Sequence, residues 1–221
     1  MTSRRSPTQP IKPKESAATD VVRQLPLVHD EATIVSGLQR GETWAKAAFF
    51  DRCAPQVERI VRSILGHHKH DDLADVIHDT FVQALGSLHN LRDAAALVGW
   101  VQSVAANTAY KTIRARRARR WLLFWAPSDV PDLTAPGVSP ELAEAYRRTY
   151  ALLDRLPAEE RVAFALRYIE GLELNQVAEM CDVSLATIKR RLAKAEKRFA
   201  AAAQRDNVLR EWLEEGGRWT S

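Results

Sequence analysis

The apolar residues of this chain recur at intervals of three and four, the spacing that places them on one face of an α-helix. One such series runs through residues 57–65, a second through 73–85 and a third through 97–108. No segment shows the alternation of apolar and polar residues that is typical of a β-strand. Hydrophobic residues make up 46% of the 221 residues, which is enough to form a buried core. The sequence therefore predicts an all-α globular protein.

Membrane-spanning and disulfide-stabilised classes are not expected. The longest apolar runs, Ala94–Val98 and Trp121–Ala126, are much shorter than the roughly 20 residues that cross a bilayer. The first residues lack the apolar stretch of a secretory signal. The two cysteines, Cys53 and Cys181, make no disulfide framework and are compatible with a reducing compartment. We therefore expect a cytoplasmic protein.

Composition divides the chain into five segments. Residues 121–139 contain three prolines and a glycine, which is typical of a linker between domains. Ser139 and Pro140 then match the N-cap and first position of a helix. The segments are a disordered basic tail (1–28), a helical domain (29–120), the linker (121–139), a second helical domain (140–205) and a C-terminal tail (206–221). The predicted architecture is two small helical domains joined by a flexible linker.

The second domain contains a predicted helix-turn-helix at residues 174–199. Ser184 is a suitable N-cap for the second helix, and Asp182 occupies a turn position where glycine often adopts a left-handed conformation. One face of that helix is apolar, and the other carries Thr187, Arg190, Arg191, Lys194 and Arg198. Charge alone fits an ordinary hairpin with a solvated basic face. The turn, the cap and the spacing together favour a recognition helix that enters the major groove of DNA.

The first domain has an acidic helix face followed by a basic segment. Asp72, Asp75 and Asp79 lie on one side of the helix through 71–85, a pattern that fits either a protein-docking surface or a solvated face. No acidic residue occurs between Asp93 and Asp129. That interval contains six cations: Lys111, Arg114, Arg116, Arg117, Arg119 and Arg120. Such a density of positive charge favours a polyanionic partner.

An aromatic and an amide side chain share a helix face with some of these cations. Trp100 and Asn107 precede Lys111 and Arg114 at helical spacing. Cations for phosphates, together with aromatic and amide groups for bases, are suited to single-stranded nucleic acid. Trp100 is equally compatible with a place in the core.

Catalytic and metal-binding sites are not predicted. The segment Gly66–Asp72 is rich in histidine, but it reads as a loop and lacks a partner histidine at helical spacing. No nucleophile constellation or phosphate-binding glycine loop is present in the sequence. We expect a protein that is not an enzyme and has no cofactor, no bound metal and no small-molecule substrate.

Three segments together resemble the bacterial RNA polymerase sigma factors of the extracytoplasmic-function (ECF) group, in the sigma-70 family. DDLADVIHDTFVQAL (71–85) and GWVQSVAANTAYKTIRARRARR (99–120) are similar to motifs of sigma region 2. LPAEERVAFALRYIEGLELNQVAEMCDVSLATIKRRLAKAEKRF (156–199) is similar to region 4. The departures are His78 in place of glutamine, Glu173 in place of a serine or threonine cap, and Lys111 where an acid is common.

The resemblance implies a role for each surface. In this family one helix of region 2 binds the clamp helices of the largest polymerase subunit. The residues at the matching positions are Asp72, Asp75, His78 and Asp79. Contact with the −10 promoter element falls to Asn90, Trp100, Asn107, Lys111, Arg114 and Arg117. Contact with the −35 element falls to Ser184, Leu185, Thr187, Lys189, Arg190, Arg191 and Lys194.

The implied function is promoter-specific initiation of transcription by core RNA polymerase, with region 4 near the polymerase flap. The implied partners are core polymerase, promoter DNA and an inhibitory anti-sigma factor, which in this family is often bound to the membrane. The alternative is a helix-turn-helix regulator that binds DNA without binding core polymerase. It accounts for residues 174–199 but not for the acidic helix or the single-strand face.

Overall fold

The computed structural model of the protein describes residues 29–66, 70–123 and 139–214, with side chains throughout except at 70–72, 120–123 and 212–214. We call residues 29–123 the N-terminal half and residues 139–214 the C-terminal half. The helices are α1 (Glu31–Gln39), α2 (Thr43–Leu65), α3 (His70–Gly86), α4 (Leu97–Leu123), α5 (Pro140–Leu153), α6 (Ala158–Phe164), α7 (Leu174–Met180), α8 (Leu185–Ala203) and α9 (Asn207–Glu214). The described residues contain no strand, so the all-α prediction is confirmed.

The N-terminal half is a helical bundle with α2 at its centre. Helices α1, α3 and α4 all pack against α2. Val57, Ile60 and Ile64, from the apolar series of the sequence, are completely buried on α2. The series on α3 is not buried throughout, because Leu85 at its end remains 38% exposed. The predicted apolar stripe therefore forms the core, except at the end of α3.

The C-terminal half begins as the sequence predicts. Ser139 caps α5 by accepting a hydrogen bond from the backbone N–H of Leu142 at 3.2 Å, and Pro140 is its first residue. Helix α6 continues into a π-helical stretch over Ala165–Ile169. Residues 207–214, which the sequence analysis assigned to a tail, form α9, and Leu209 packs into the core of this half with only 2% of its surface exposed.

The two predicted helical domains are present as the two halves, and they pack against each other through a shared hydrophobic core. Helix α4 packs against α6 and α7, and α2 contacts the π-helical stretch. Ala106 and Ala109 are small and almost fully buried on α4, which lets Val162 of α6 and Met180 of α7 join the same cluster. Helix α4 also extends to Leu123, so the first residues of the predicted linker are helical. Residues 124–138, the rest of that linker, lie outside the described part of the chain.

Polar groups of the C-terminal half cap the carboxyl end of α2. The Tyr150 hydroxyl donates to the Ser63 carbonyl at 3.0 Å. The Arg161 guanidinium donates to the carbonyls of Ile64 at 2.7 Å and Leu65 at 3.0 Å. The last carbonyls of a helix have no partner within the helix, so these bonds satisfy groups that would otherwise need water.

The buried positive charge of Arg161 also has a partner in its own half. Burial lowers the pKa of Arg161, and the carboxylate of Asp154, to which it also donates, opposes that change. An ion pair also crosses between the halves, from Arg59 Nε to Glu170 Oε2 at 2.9 Å. The contact between the halves is therefore both apolar and polar.

Gly66, which ends α2, provides a test of this packing. Its φ of 74° and ψ of −163° lie in a region that only glycine adopts readily, and an added Cβ would lie 2.4 Å from the Tyr150 ring. We expect Gly66→Ala to lower the free energy of unfolding by about 2–4 kcal/mol, measured by chemical denaturation.

Gly41→Ala is the control, because Gly41 also has a positive φ but has open space around it. It should cost only about 1 kcal/mol. Equal losses of stability in the two variants would contradict the close packing of Gly66 against Tyr150.

Candidate protein-binding and nucleic-acid-binding surfaces

The predicted acidic face is exposed on α3. Asp75, His78 and Asp79 all point to solvent, and His78 Nδ1 lies 3.7 Å from an Asp79 carboxylate oxygen. Thr80 faces the opposite way, where its buried hydroxyl donates to the Val76 carbonyl at 2.7 Å. Asp72 is in the first turn of α3, outside the residues whose side chains are described. The helix thus presents two carboxylates and an imidazole side by side.

Exposed apolar side chains adjoin these carboxylates. Phe50 of α2 is 49% exposed and Val82 of α3 is 54% exposed. Phe50 stacks on Phe81 with ring centroids 4.8 Å apart, and Leu85 lies one helical turn beyond Phe81. We call the group Phe50, Asp75, His78, Asp79, Val82 and Leu85 the docking face. Partly exposed apolar groups beside charged ones are typical of protein-binding surfaces.

The apolar part of the docking face was not predicted from the sequence. Val82 lies three residues after Asp79 and seven after Asp75, so helical spacing places it on the acidic side. This spacing could have identified Val82 as part of the acidic face. No sequence pattern could have identified Phe50, because its position beside Phe81 depends on how α2 and α3 pack.

The loop between α3 and α4 presents Asn90 to solvent. Asn90 ends a 3₁₀ turn over Leu88–Asn90, in which Leu88 is buried as an anchor. The Asp93 carboxylate then caps the next turn by accepting from the Ala95 N–H at 3.0 Å. The loop is therefore held at both ends, while the Asn90 amide remains accessible.

Helix α4 carries the cationic face. Asn107, Lys111 and Arg114 are exposed along it, and Lys111 Nζ donates to Gln83 Oε1 at 3.1 Å. Trp100, for which the sequence left two interpretations open, is half-buried and packs against the core. Arg117 turns toward the C-terminal half, where it donates to the Leu156 carbonyl at 3.4 Å.

The helix-turn-helix consists of α7 and α8. Asp182 in the turn has a φ of 50°, so the expected left-handed position is occupied by aspartate. Ser184 caps α8, and its hydroxyl accepts from the Thr187 N–H at 3.3 Å. Glu173 replaces the usual cap of α7, and its backbone N–H donates to Gln176 Oε1 at 2.9 Å. These local features fix the angle between the two helices.

The outer face of α8 is basic. Lys189, Arg190 and Lys194 are exposed, as are Ser184 and Leu185 at the start of the helix. Arg198, which the sequence also places on this basic face, is exposed but is paired with Glu160. Its Nη1 lies 3.0 and 2.9 Å from the two carboxylate oxygens. Glu160 is buried, and a buried carboxylate requires such a partner.

A small cavity of about 100 Å³ lies where the two halves meet. Its lining residues are Ala106, Asn107, Tyr110, Glu159, Val162, Met180, Cys181 and Arg191. Burial raises the pKa of the Cys181 thiol to about 11, and Arg191 acts in the opposite direction. Asn107 and Arg191, assigned by the sequence to two different DNA elements, thus share one cavity.

Metal-binding clusters and membrane-spanning helices are absent from the described ranges. No group of three or more histidine, cysteine, aspartate or glutamate residues is placed there to hold a metal ion. Residues 67–69, part of the histidine-rich segment, lie outside those ranges. None of the helices that the structure describes is long and apolar enough to span a membrane.

Two family models match the chain. The model of sigma-70 region 2 covers residues 49–120, and the model of sigma-70 region 4 covers residues 146–199. The first includes the docking face and α4, and the second includes the helix-turn-helix. Each model therefore lies within one half of the described structure.

Individual proteins give the same result over most of the chain. The ECF RNA polymerase sigma-E factor of Haemophilus influenzae is 24% identical over 174 residues, which cover 75% of this chain and 90% of that protein. The RNA polymerase sigma-H factor of Pseudomonas aeruginosa is 26% identical over 182 residues, which cover 77% of this chain and 92% of that protein.

Two solved structures have a similar fold. One is the sigma factor RpoE in complex with the anti-sigma factor NepR from Bartonella quintana, with a TM-score of 0.54 and 22% identity over 72% of this chain and 96% of that one. The other is CnrH in complex with the cytosolic domain of CnrY, with a TM-score of 0.54 and 20% identity over 80% of this chain and 99% of that one. The chain belongs to the sigma-70 family, in the ECF group of bacterial RNA polymerase sigma factors.

Proposed function

We propose that this sigma factor binds core RNA polymerase through the docking face and reads promoter DNA through α4, the preceding loop and α8. The observation that carries the proposal is the docking face itself. Two carboxylates beside exposed apolar groups fit a basic, partly apolar protein surface. A regulator that only binds DNA needs no such surface.

Contact with the −10 element is assigned to the loop and to the exposed face of α4. Asn90 and Asn107 offer amides that can hydrogen-bond to bases, and Lys111 and Arg114 offer positive charge for phosphates. Trp100, which lies on the same helix, is half-buried against the core. Capture of unpaired bases offsets the few kcal/mol that unstacking requires, so this face would help to open the duplex.

Contact with the −35 element is assigned to α8. Ser184, Leu185 and Thr187 occupy its first turn, the part of a recognition helix that reaches base edges. Lys189, Arg190, Arg191 and Lys194 follow and are suited to phosphate contact.

The remaining partners follow from the family. We propose that an anti-sigma factor holds the chain inactive, in line with the similar structure of RpoE, which is in complex with the anti-sigma factor NepR. The chain would act with polymerase in the cytoplasm, as a binding protein that performs no reaction of its own. Its contribution is to place the polymerase at a promoter.

Charge reversal on the docking face tests polymerase binding. Asp79→Lys replaces a favourable charge contact with repulsion, so we expect binding to core polymerase to weaken about 10- to 100-fold, equivalent to about 1.4–2.7 kcal/mol. The measurement is fluorescence anisotropy of the labelled full chain titrated with purified core polymerase.

Glu211→Lys on α9 is the matched control. It is exposed and changes the net charge equally, so its affinity should remain that of the unmodified chain. If the two variants bound polymerase equally well, the docking assignment would be wrong.

Removal of cations from α8 tests DNA binding. The double variant Arg190→Ala and Lys194→Ala should bind promoter duplex more weakly, and the slope of log affinity against log salt should fall by about 2, because each cation that is removed leaves about one phosphate without its neutralising partner. Arg210→Ala on α9 serves as the control, because Arg210 is exposed outside the recognition helix. An unchanged salt slope in the double variant would refute the assignment of these cations.

A further inference from the structure

The first turn of α8 differs from the rest of the exposed surface of this helix, because it carries no charged side chain. Leu185, the first residue of the helix, is 36% exposed, and Ala186 beside it is exposed as well. One turn further on, the exposed side chains are the cations Lys189 and Arg190. The surface of α8 that is available to DNA therefore begins with an apolar patch and continues with positive charge.

The polar groups of this turn are directed into the helix cap. Ser184 Oγ accepts from the Thr187 N–H at 3.3 Å and lies 2.9 Å from Thr187 Oγ1, so the two hydroxyls bond to each other. The side chain of Ile188 is completely buried in the core. Leu185 and Ala186 are therefore the side chains that extend outward from the start of the helix.

The base pairs of duplex DNA differ in the groups that they present to such a patch. In the major groove the base edges carry hydrogen-bond donors and acceptors, and thymine also carries a methyl group at C5. An apolar side chain against a donor or acceptor would displace water and leave that group without a partner, which is unfavourable. Against the thymine methyl group, the same side chain gains the free energy of apolar burial. An apolar first turn therefore favours thymine.

We propose that Leu185, together with Ala186, contacts the methyl group of a thymine, so that the −35 element has an A·T pair facing the start of α8. The inference rests on the proposed function, which places α8 in the major groove. It deepens that function by naming the base, and the group on that base, that the chain reads.

The packing of α8 holds this contact in place before DNA binds. Asp182, with a φ of 50°, and the cap at Ser184 fix the direction in which the helix begins. Ile188 and Leu192 anchor its inner face in the core. Because the backbone at Leu185 is already ordered, little conformational entropy is lost when the side chain meets a base.

The test removes the methyl group from the DNA. Duplexes that bind the full chain in complex with core polymerase are selected from a random pool, and a selected duplex is synthesised with uracil in place of thymine at one position of the −35 element at a time. Uracil pairs with adenine as thymine does but lacks the methyl group. At one position, uracil should weaken binding about 3- to 5-fold, which is the effect of one buried methyl group.

The second half of the test removes the side chain. Leu185→Ala keeps a residue that is favourable in a helix, so the fold of α8 should be retained. This variant should bind the thymine duplex several-fold more weakly than the unmodified chain does. At the position where uracil weakens binding of the unmodified chain, it should have no further effect on the variant. Such non-additivity identifies a direct contact between the two groups.

Leu142→Ala on α5 is the matched control, because Leu142 is 47% exposed and lies outside the recognition helix. It should bind both duplexes as the unmodified chain does. If uracil had no effect at any position, or weakened binding equally with and without Leu185, the proposal would be overturned while promoter binding stood. If the complex retained no duplex at all, the proposed function would fail, and this proposal with it.

Discussion

The buried guanidinium of Arg161 is the interaction on which the arrangement of this chain most depends. It donates to two carbonyls at the end of α2 and to Asp154 of its own half. A buried charge that loses its partners costs several kcal/mol, so α2 and α6 stay together for as long as Arg161 remains buried. Because α2 is the centre of the N-terminal half, Arg161 joins the helix-turn-helix half to the whole bundle, together with Tyr150 and the shared apolar core.

The surfaces differ in how accessible that arrangement leaves them. The docking face on α2 and α3 is exposed, as are Asn107, Lys111 and Arg114 on α4, whereas Arg191 is half-buried in the cavity between the halves. The surface proposed for polymerase is thus separate from the surfaces proposed for DNA.

The sequence predicted the local structure well because local structure depends on neighbouring residues. Ser184, Asp182 and the cap at Ser139 all occupy the predicted positions. It could not predict how the halves meet, because that contact joins residues such as Tyr150 and Ser63 that are far apart in the chain. It could not predict the pairing of Arg198 either, since its partner Glu160 lies on another helix. Most individual site residues were assigned through resemblance to a family, and they stay predictions.

The most direct test of the account is run-off transcription with purified bacterial core polymerase, on templates that include the DNA upstream of the gene for this chain. The account predicts defined transcripts that appear only when the chain is added, with start sites downstream of paired −10 and −35 elements. The contradicting result is a chain that binds duplex DNA, fails to bind core polymerase and yields no transcript. That outcome would identify a helix-turn-helix regulator that acts without core polymerase.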